Sequence, residues 1–319
     1  MNTIVVLEQM IIIFILIAVG YFLSKSGHLS EETSKNISFI VINITNPLTL
    51  ISSALSSRVQ IGVKHLFFAI FLFVVMYAFL FIMSLVTPCI IRLVREERFA
   101  YGMLLLFSNV GFIGIPFVSA VLGADALIYV SICCLVFNLV IYTYGMSTMR
   151  RAGEKKGTFT EEDGSKASGL VRMILNTGTV SSLLTIVIFA LNIKLPQFFV
   201  NLSDIIGRGT TFLSMIVVGA AASGISIKMV FGNAKLYLLT LVKALFIPII
   251  LAAFLKQFDI DETLRSVLII MSALPSANMP LMYAREYGAG EQTISAGIIL
   301  TTLLSVLTIP AVVALYNFM

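Results

Sequence analysis

The chemically richest residues of this chain sit in the middle of long apolar runs. One run reads Phe107-Ser-Asn-Val-Gly-Phe-Ile-Gly-Ile-Pro-Phe117, and a second reads Ala273-Leu-Pro-Ser-Ala-Asn-Met-Pro-Leu281. Pro116, Pro275 and Pro280 each lack an amide donor and clash with the preceding helical turn, while Gly111 and Gly114 loosen the backbone. Continuous helices are therefore disfavoured in both runs. The expected outcome is one helix broken near Gly111 to Ile115 and restarted at Pro116, and a second broken between Pro275 and Pro280. Irregular backbone at membrane depth is tolerated only where it is buried in protein or lines a wet cavity. If both breaks meet, the restarted half-helices turn free N–H groups and positive dipole ends into one cavity, which favours an anion. Asn109, Asn278, Ser108, Ser272 and Ser276 would add neutral hydrogen-bond partners that orient a carboxylate without trapping it. The plainer alternative is two proline-kinked helices whose Asn and Ser bond neighbouring helices; recurrence of the device in two segments weighs against it.

Other polar groups in apolar runs carry two readings each. Asn46, Thr49 and Ser53 fall on one helical face and would complete the cavity wall, or serve only in helix packing. Lys243 lies about 12 Å from either end of its run, beyond snorkelling reach. It would attract the anion electrostatically or pair with a carbonyl freed by Pro248. Asn138 reads as structural. Fifteen of the sixteen acidic residues lie in loops or at run ends, the exception being Glu8. Proton relays and sodium sites usually employ intramembrane carboxylates, so neither coupling mode is supported. Cys89, Cys133 and Cys134 read as small buried hydrophobes. With no zinc-ligand cluster, Asp pair or Ser-His arrangement, neither an intramembrane hydrolase nor any cofactor is expected.

The elements that must hold these residues follow from composition. Of 319 residues, 59% are hydrophobic and 12% charged, where a soluble domain would carry about 25% charged residues. Apolar runs near 4–23, 36–55, 66–91, 101–122, 127–149, 171–192, 209–227, 235–255, 264–284 and 294–317 are each long enough to span a bilayer. The first run lacks a basic leader and reads as a permanent span rather than a signal peptide. The hydrophilic stretch 150–170 cannot form a buried core and divides the chain into halves 1–149 and 171–319, five spans each. The net charge of +5 is scattered over short loops and encodes orientation rather than nucleic-acid binding. Loops after the odd-numbered spans hold Lys25, Lys35, Arg92, Arg95, Arg98, Arg150, Arg151, Lys155, Lys156, Lys166, Arg172, Lys228, Lys235 and Arg285. The opposite loops hold only Arg58, Lys64, Lys194, Arg208, Lys256 and Arg265. Positive-inside bias then places 150–170 in the cytoplasm and both termini outside. Five spans per half require the second half to enter the membrane inverted, as in many secondary transporters. Ser108-Asn109 and Ser272-Ala273 precede Pro116 and Pro280 at equal distances, which supports the repeat. The expected fold is an all-α integral membrane protein of ten transmembrane helices in two inverted five-helix repeats, with helices four and nine broken.

The two broken segments resemble the crossover helices of the auxin efflux carrier family, which includes plant PIN carriers and bacterial relatives often called malate or malonate permeases. Asn109 followed by Gly114-Ile-Pro116 is similar to the family's Asn-to-Gly-Ile-Pro pattern. Ala273-Leu-Pro275 through Pro280 to Ala284-Arg-Glu-Tyr287 is similar to its ninth-helix signature. Asn46-Pro47-Leu48 extends the likeness to nearly the whole chain, although loop 150–170 is far shorter than in many plant members. The resemblance implies a fold shared with bile acid and sodium symporters, with a scaffold of helices 1, 2, 6 and 7 and a transport domain of helices 3–5 and 8–10. It also implies elevator-type movement of a small organic anion, usually by a homodimer in the cell membrane. Carried over by position, Asn109, Gly111, Gly114, Pro116, Pro275, Ser276, Asn278 and Pro280 would form the substrate site against Asn46, Thr49 and Ser53. A sodium-coupled anion symporter and a sensor that binds without transporting are the competing readings.

Overall fold

The computed structural model describes residues 2–56, 62–95, 97–156, 176–224 and 230–318, so expectations for 157–170 and for the start of the sixth span lie outside it. The described residues form helices and no strands. In chain order they are α1 Thr3–Lys25, α2 Glu31–Ser56, α3 Val63–Ile90, α4 Arg98–Leu106, α5 Val110–Leu122 and α6 Ala124–Glu154. There follow α7 Thr177–Ala190, α8 Gln197–Ser223, α9 Ala234–Leu255, α10 Glu262–Ala273, α11 Met279–Glu286 and α12 Glu291–Phe318. Seven of these, α1, α2, α3, α6, α8, α9 and α12, are long and apolar enough to cross a bilayer. Apolar side chains cover their outer faces too: Ile4, Ile11, Ile15 and Phe22 of α1 all face outward. Helices hydrophobic all round belong in lipid.

Among the described residues, four helices widen into a π turn, and three of these turns end two residues before a proline; the fourth, Ile141–Gly145 of α6, has no proline near it. Val41–Thr45 precedes Pro47, Val110–Gly114 precedes Pro116, and Val242–Phe246 precedes Pro248. In each case the residue before the proline donates five positions back: Asn46 to Val41, Ile115 to Val110, Ile247 to Val242. Widening the turn keeps the carbonyl four residues back clear of the proline ring, so the helix passes through proline without breaking. This corrects the expected position of the first break. The chain leaves helical geometry at Phe107–Asn109, and Gly111 to Ile115 are helical, with Pro116 inside α5. The second break, Leu274–Asn278, falls where expected, because Leu274 precedes Pro275 and adopts extended backbone (φ −60°, ψ 148°). Ser272, matched to Ser108 by its spacing, lies within α10 and bonds the Ile269 carbonyl. The breaks differ in length, so equal spacing to proline does not give equal placement.

Two further boundaries shift. Helix α8 begins at Gln197, well before the expected 209, and makes Asp204 and Arg208 an i,i+4 ion pair on a helix rather than loop residues. Helix α6 runs on to Glu154, into the stretch read as loop, with Arg150 and Glu154 paired at 3.0 Å.

Helix α1 buries Val6, Met10, Ile13, Ile17 and Gly20 along one stripe, which lies on α8. The contact is backbone on backbone. A Cβ on Gly219 would overlap the Ile17 carbonyl, and one on Gly20 would overlap the Ile216 carbonyl. Close approach through small residues is the main way helices associate in lipid, where tails are as apolar as leucine. Gly219→Val should lower the melting temperature of the detergent-solubilised protein by about 5 °C or more. Gly224→Val, whose Cβ would meet only the Ala221 carbonyl oxygen at 4.0 Å, should change it little. Differential scanning fluorimetry compares the two.

Candidate functional site

Where the two breaks meet, the backbone forms a single antiparallel bridge between Ser108 and Ser276. Asn109 N–H donates to the Pro275 carbonyl at 2.8 Å, and Ala277 N–H donates to the Phe107 carbonyl at 2.9 Å. Pro275 suits this place because the pairing asks it for an acceptor only. The remaining groups at the crossing are met from three directions. Ser276 Oγ donates to the Leu104 carbonyl at 2.7 Å, and Ser276 N–H donates to Thr301 Oγ1 of α12 at 3.1 Å. Lys243 Nζ of α9 donates to the Leu105 carbonyl at 3.0 Å and to Ser108 Oγ at 3.1 Å. Asn109 Oδ1 accepts from Phe112 N–H at 3.2 Å and so caps α5, a cap worth about 1 kcal/mol.

Two buried polar atoms stay outside this network. Asn109 Nδ2 and Asn46 Oδ1 make no hydrogen bond, although both side chains are buried. They approach through Gly111: Asn46 Nδ2 donates to the Gly111 carbonyl at 3.4 Å, and a Cβ on Gly111 would lie 3.5 Å from that same nitrogen. An unpaired amide donor and an unpaired amide acceptor therefore flank the first turn of α5. Leaving such atoms bare costs about 1–3 kcal/mol each.

Farther along α2 and α5 lies a cavity of about 310 Å³. Thr49, Ser52, Ser53 and Ser56 of α2, Pro116 and Ser119 of α5, and Asp204, Gly207, Arg208, Thr210 and Thr211 of α8 line it. Its hydroxyls hold the helices together as well: Thr49 Oγ1 contacts Thr210 Oγ1 at 2.8 Å and donates to the Gly207 carbonyl at 3.1 Å.

The candidate residues thus separate. Thr49, Ser53 and Pro116 line the cavity; Asn46, Asn109 and Gly111 stand together at the crossing. Pro275 and Ser276 are spent on the bridge. Gly114 is a packing position, its missing Cβ leaving room for Leu274 of the other break and Met271 of α10. Pro280 is buried in the first turn of α11. Asn278 lines a separate cleft of about 30 Å³ with Ile17, Val218, Leu281, Ser295 and Thr302. An antiparallel crossing explains the separation, since α5 and α11 leave it in opposite directions. Lys243 meets the Leu105 carbonyl, not one freed by Pro248. Sequence reasoning missed Asp204, Arg208, Thr210 and Thr211. Their signal was a polar stripe continuous with Ser203, Gly207 and Ser214 at helical spacing, hidden by starting the span too late.

Long apolar helices surrounding two interrupted ones, pinned together at buried depth, define a multi-pass integral membrane protein. The chain belongs to the auxin efflux carrier family: the family model described as "membrane transport protein" matches residues 5–313. It is 27% identical over 309 residues to an uncharacterized transporter of Methanocaldococcus jannaschii, a match covering 95% of this chain and 96% of the relative. The activity of this family is membrane transport, not catalysis.

The Ser108–Ser276 pair is of the non-hydrogen-bonded kind, whose Cα atoms lie about 4.5 Å apart, within disulfide range. Ser108→Cys with Ser276→Cys, in a background where Cys89, Cys133 and Cys134 are serine, should cross-link under a membrane-permeant oxidant. With a protease site placed in residues 157–170, the cleaved halves should stay joined on a gel until reduced. Separation before reduction would show that the breaks do not meet.

Proposed function

We propose that the protein is a secondary carrier of small organic anions, mono- or dicarboxylates or auxin-like acids, with its substrate site where the broken helices cross. The observation that carries this reading is the pair of unsatisfied amide atoms on Asn109 and Asn46. A carboxylate is an acceptor matched to Asn109 Nδ2, a substrate hydroxyl or N–H is a donor matched to Asn46 Oδ1, and the two flank Gly111. The N-terminus of α5 adds a positive partial charge toward the same place. Neutral amides hold an anion firmly enough to select it and weakly enough to release it. The hydroxyl-lined cavity would be the way in, and under the positive-inside orientation it opens to the outside.

In this reading the chain makes ten crossings as two inverted halves, with α4 and α5 forming the fourth and α10 and α11 the ninth. The first half would run 1–149 and the second 171–319, with 150–170 in the cytoplasm and both termini outside the cell membrane. Helices one, two, six and seven would stand as scaffold, usually paired as a homodimer, while the rest moves through the bilayer as an elevator. Within that grouping α1 and α2 both lie on α8, and α2 also lies on α7; across it, α7 packs as closely on α6 and α1 lies on α12.

Loss of a hydrogen bond to a charged group is worth about 1.5–3 kcal/mol, or roughly ten- to a hundredfold. Asn109→Ala should therefore reduce uptake of labelled malate into proteoliposomes by about tenfold or more, and Asn46→Leu, which loses a neutral hydrogen bond to the malate hydroxyl, by about threefold or more. Both variants should elute as wild type does by size exclusion. Wild-type flux in both would refute the site, and binding detected by thermal shift without any flux in the wild type would refute transport.

A further inference from the structure

Lys243 is one of the largest fully buried side chains of the molecule, and no carboxylate among the described residues pairs with it. We propose that its ammonium is a built-in cation of the crossing, occupying with a tethered charge the place where a bound monovalent cation would otherwise sit. The proposal goes beyond the carrier function above and depends on it only for one arm of the test.

Oxygen chemistry at the end of α4 carries the argument. A helix ends in carbonyls without partners and a partial negative charge, and in lipid no water is at hand to satisfy them. Interrupted helices of other membrane carriers leave such ends to coordinate sodium. In this chain four oxygens at that end are taken by protein donors. The Leu104 carbonyl receives Ser276 Oγ, the Phe107 carbonyl receives Ala277 N–H, and the Leu105 carbonyl and Ser108 Oγ receive Lys243 Nζ. The ammonium thus contacts one backbone carbonyl and one hydroxyl, the hard oxygen ligands an alkali ion would choose. Burying an ammonium without a counter-ion costs several kcal/mol. A neutral side chain of equal length would avoid that cost, so the helix end must return it through charge.

Ser108 is also the neighbour of Asn109. The Lys243 charge therefore lies one residue from the unpaired amide and raises the potential for an anion there without contacting it. Unlike a bound ion, it is tethered to the chain and cannot leave the crossing. Stability of the crossing, and anion binding beside it, should be indifferent to sodium.

Three proteins test this: wild type, Lys243→Met, which keeps the volume and removes the charge, and Lys243→Ala. Their melting is followed in sodium chloride, in choline chloride and with added n-propylammonium, the atoms that the alanine substitution removes. The wild type should melt alike in sodium and choline. Lys243→Met should melt lower by about 5 °C or more, and n-propylammonium should restore Lys243→Ala but not Lys243→Met. Wild-type stability in Lys243→Met, or a rise of several degrees in the wild type that sodium alone produces, would overturn the proposal. Those two arms decide it even where Lys243→Ala yields no folded protein. Malonate uptake by the wild type should be equal in sodium and choline, and sodium-dependent uptake would also overturn it. Absence of uptake in both salts, with the melting results intact, would count against the carrier function and leave Lys243 as the built-in cation.

Discussion

Everything at the centre of this molecule depends on one pair of backbone hydrogen bonds, Asn109 to Pro275 and Ala277 to Phe107. Two helices have been cut inside an apolar body, and each cut exposes donors and acceptors that no solvent can reach. Pairing the cuts with one another satisfies most of the exposed groups at once. It also fixes where the following half-helices start and makes each break a condition for the other. Ser276 and Lys243 then close the end of α4 from two other elements, so the crossing is tied into four helices rather than two.

Against that nearly complete accounting, the two unpaired amide atoms stand out. A buried network tolerates an unsatisfied group only at a loss, and native structures keep few of them. Here they lie on either side of a glycine, one on α2 and one at the N-cap of α5. The hydroxyl-lined cavity between α2, α5 and α8 is built from the same helices, one to two turns farther along.

Much of this was legible in the sequence, and the reasons are particular. Pro275 and Pro280 within one apolar run announce a break because neither can donate at the position helix geometry demands. Asn109, Gly111 and Pro116 announce the other region, though not the break itself. The error there was to read proline as the point of rupture, when a π turn lets the helix pass Pro47, Pro116 and Pro248 alike. The rupture at Phe107–Asn109 is set by the second break, a contact 168 positions away along the chain that no local pattern encodes. Lys243 was legible as an anomaly but not as a ligand of Leu105, for the same reason. The α8 contribution to the cavity was missed because Asp204 and Arg208 looked like loop charges, whereas i,i+4 pairing lets them sit on a helix near its N-terminal end.

The contact between α1 and α8 has a mechanical meaning. With Gly20 and Gly219 setting main chain against main chain, and Gly207 placed so that an added Cβ would lie 3.1 Å from the Thr49 Cα, α1, α2 and α8 have no layer of side chains between them to act as a lubricant. Sliding any one of these helices by a residue would drive a Cβ into a carbonyl. Any large displacement must therefore take place at softer seams, where flexible side chains separate the helices, and this three-helix unit can only travel, or stay still, as a single piece.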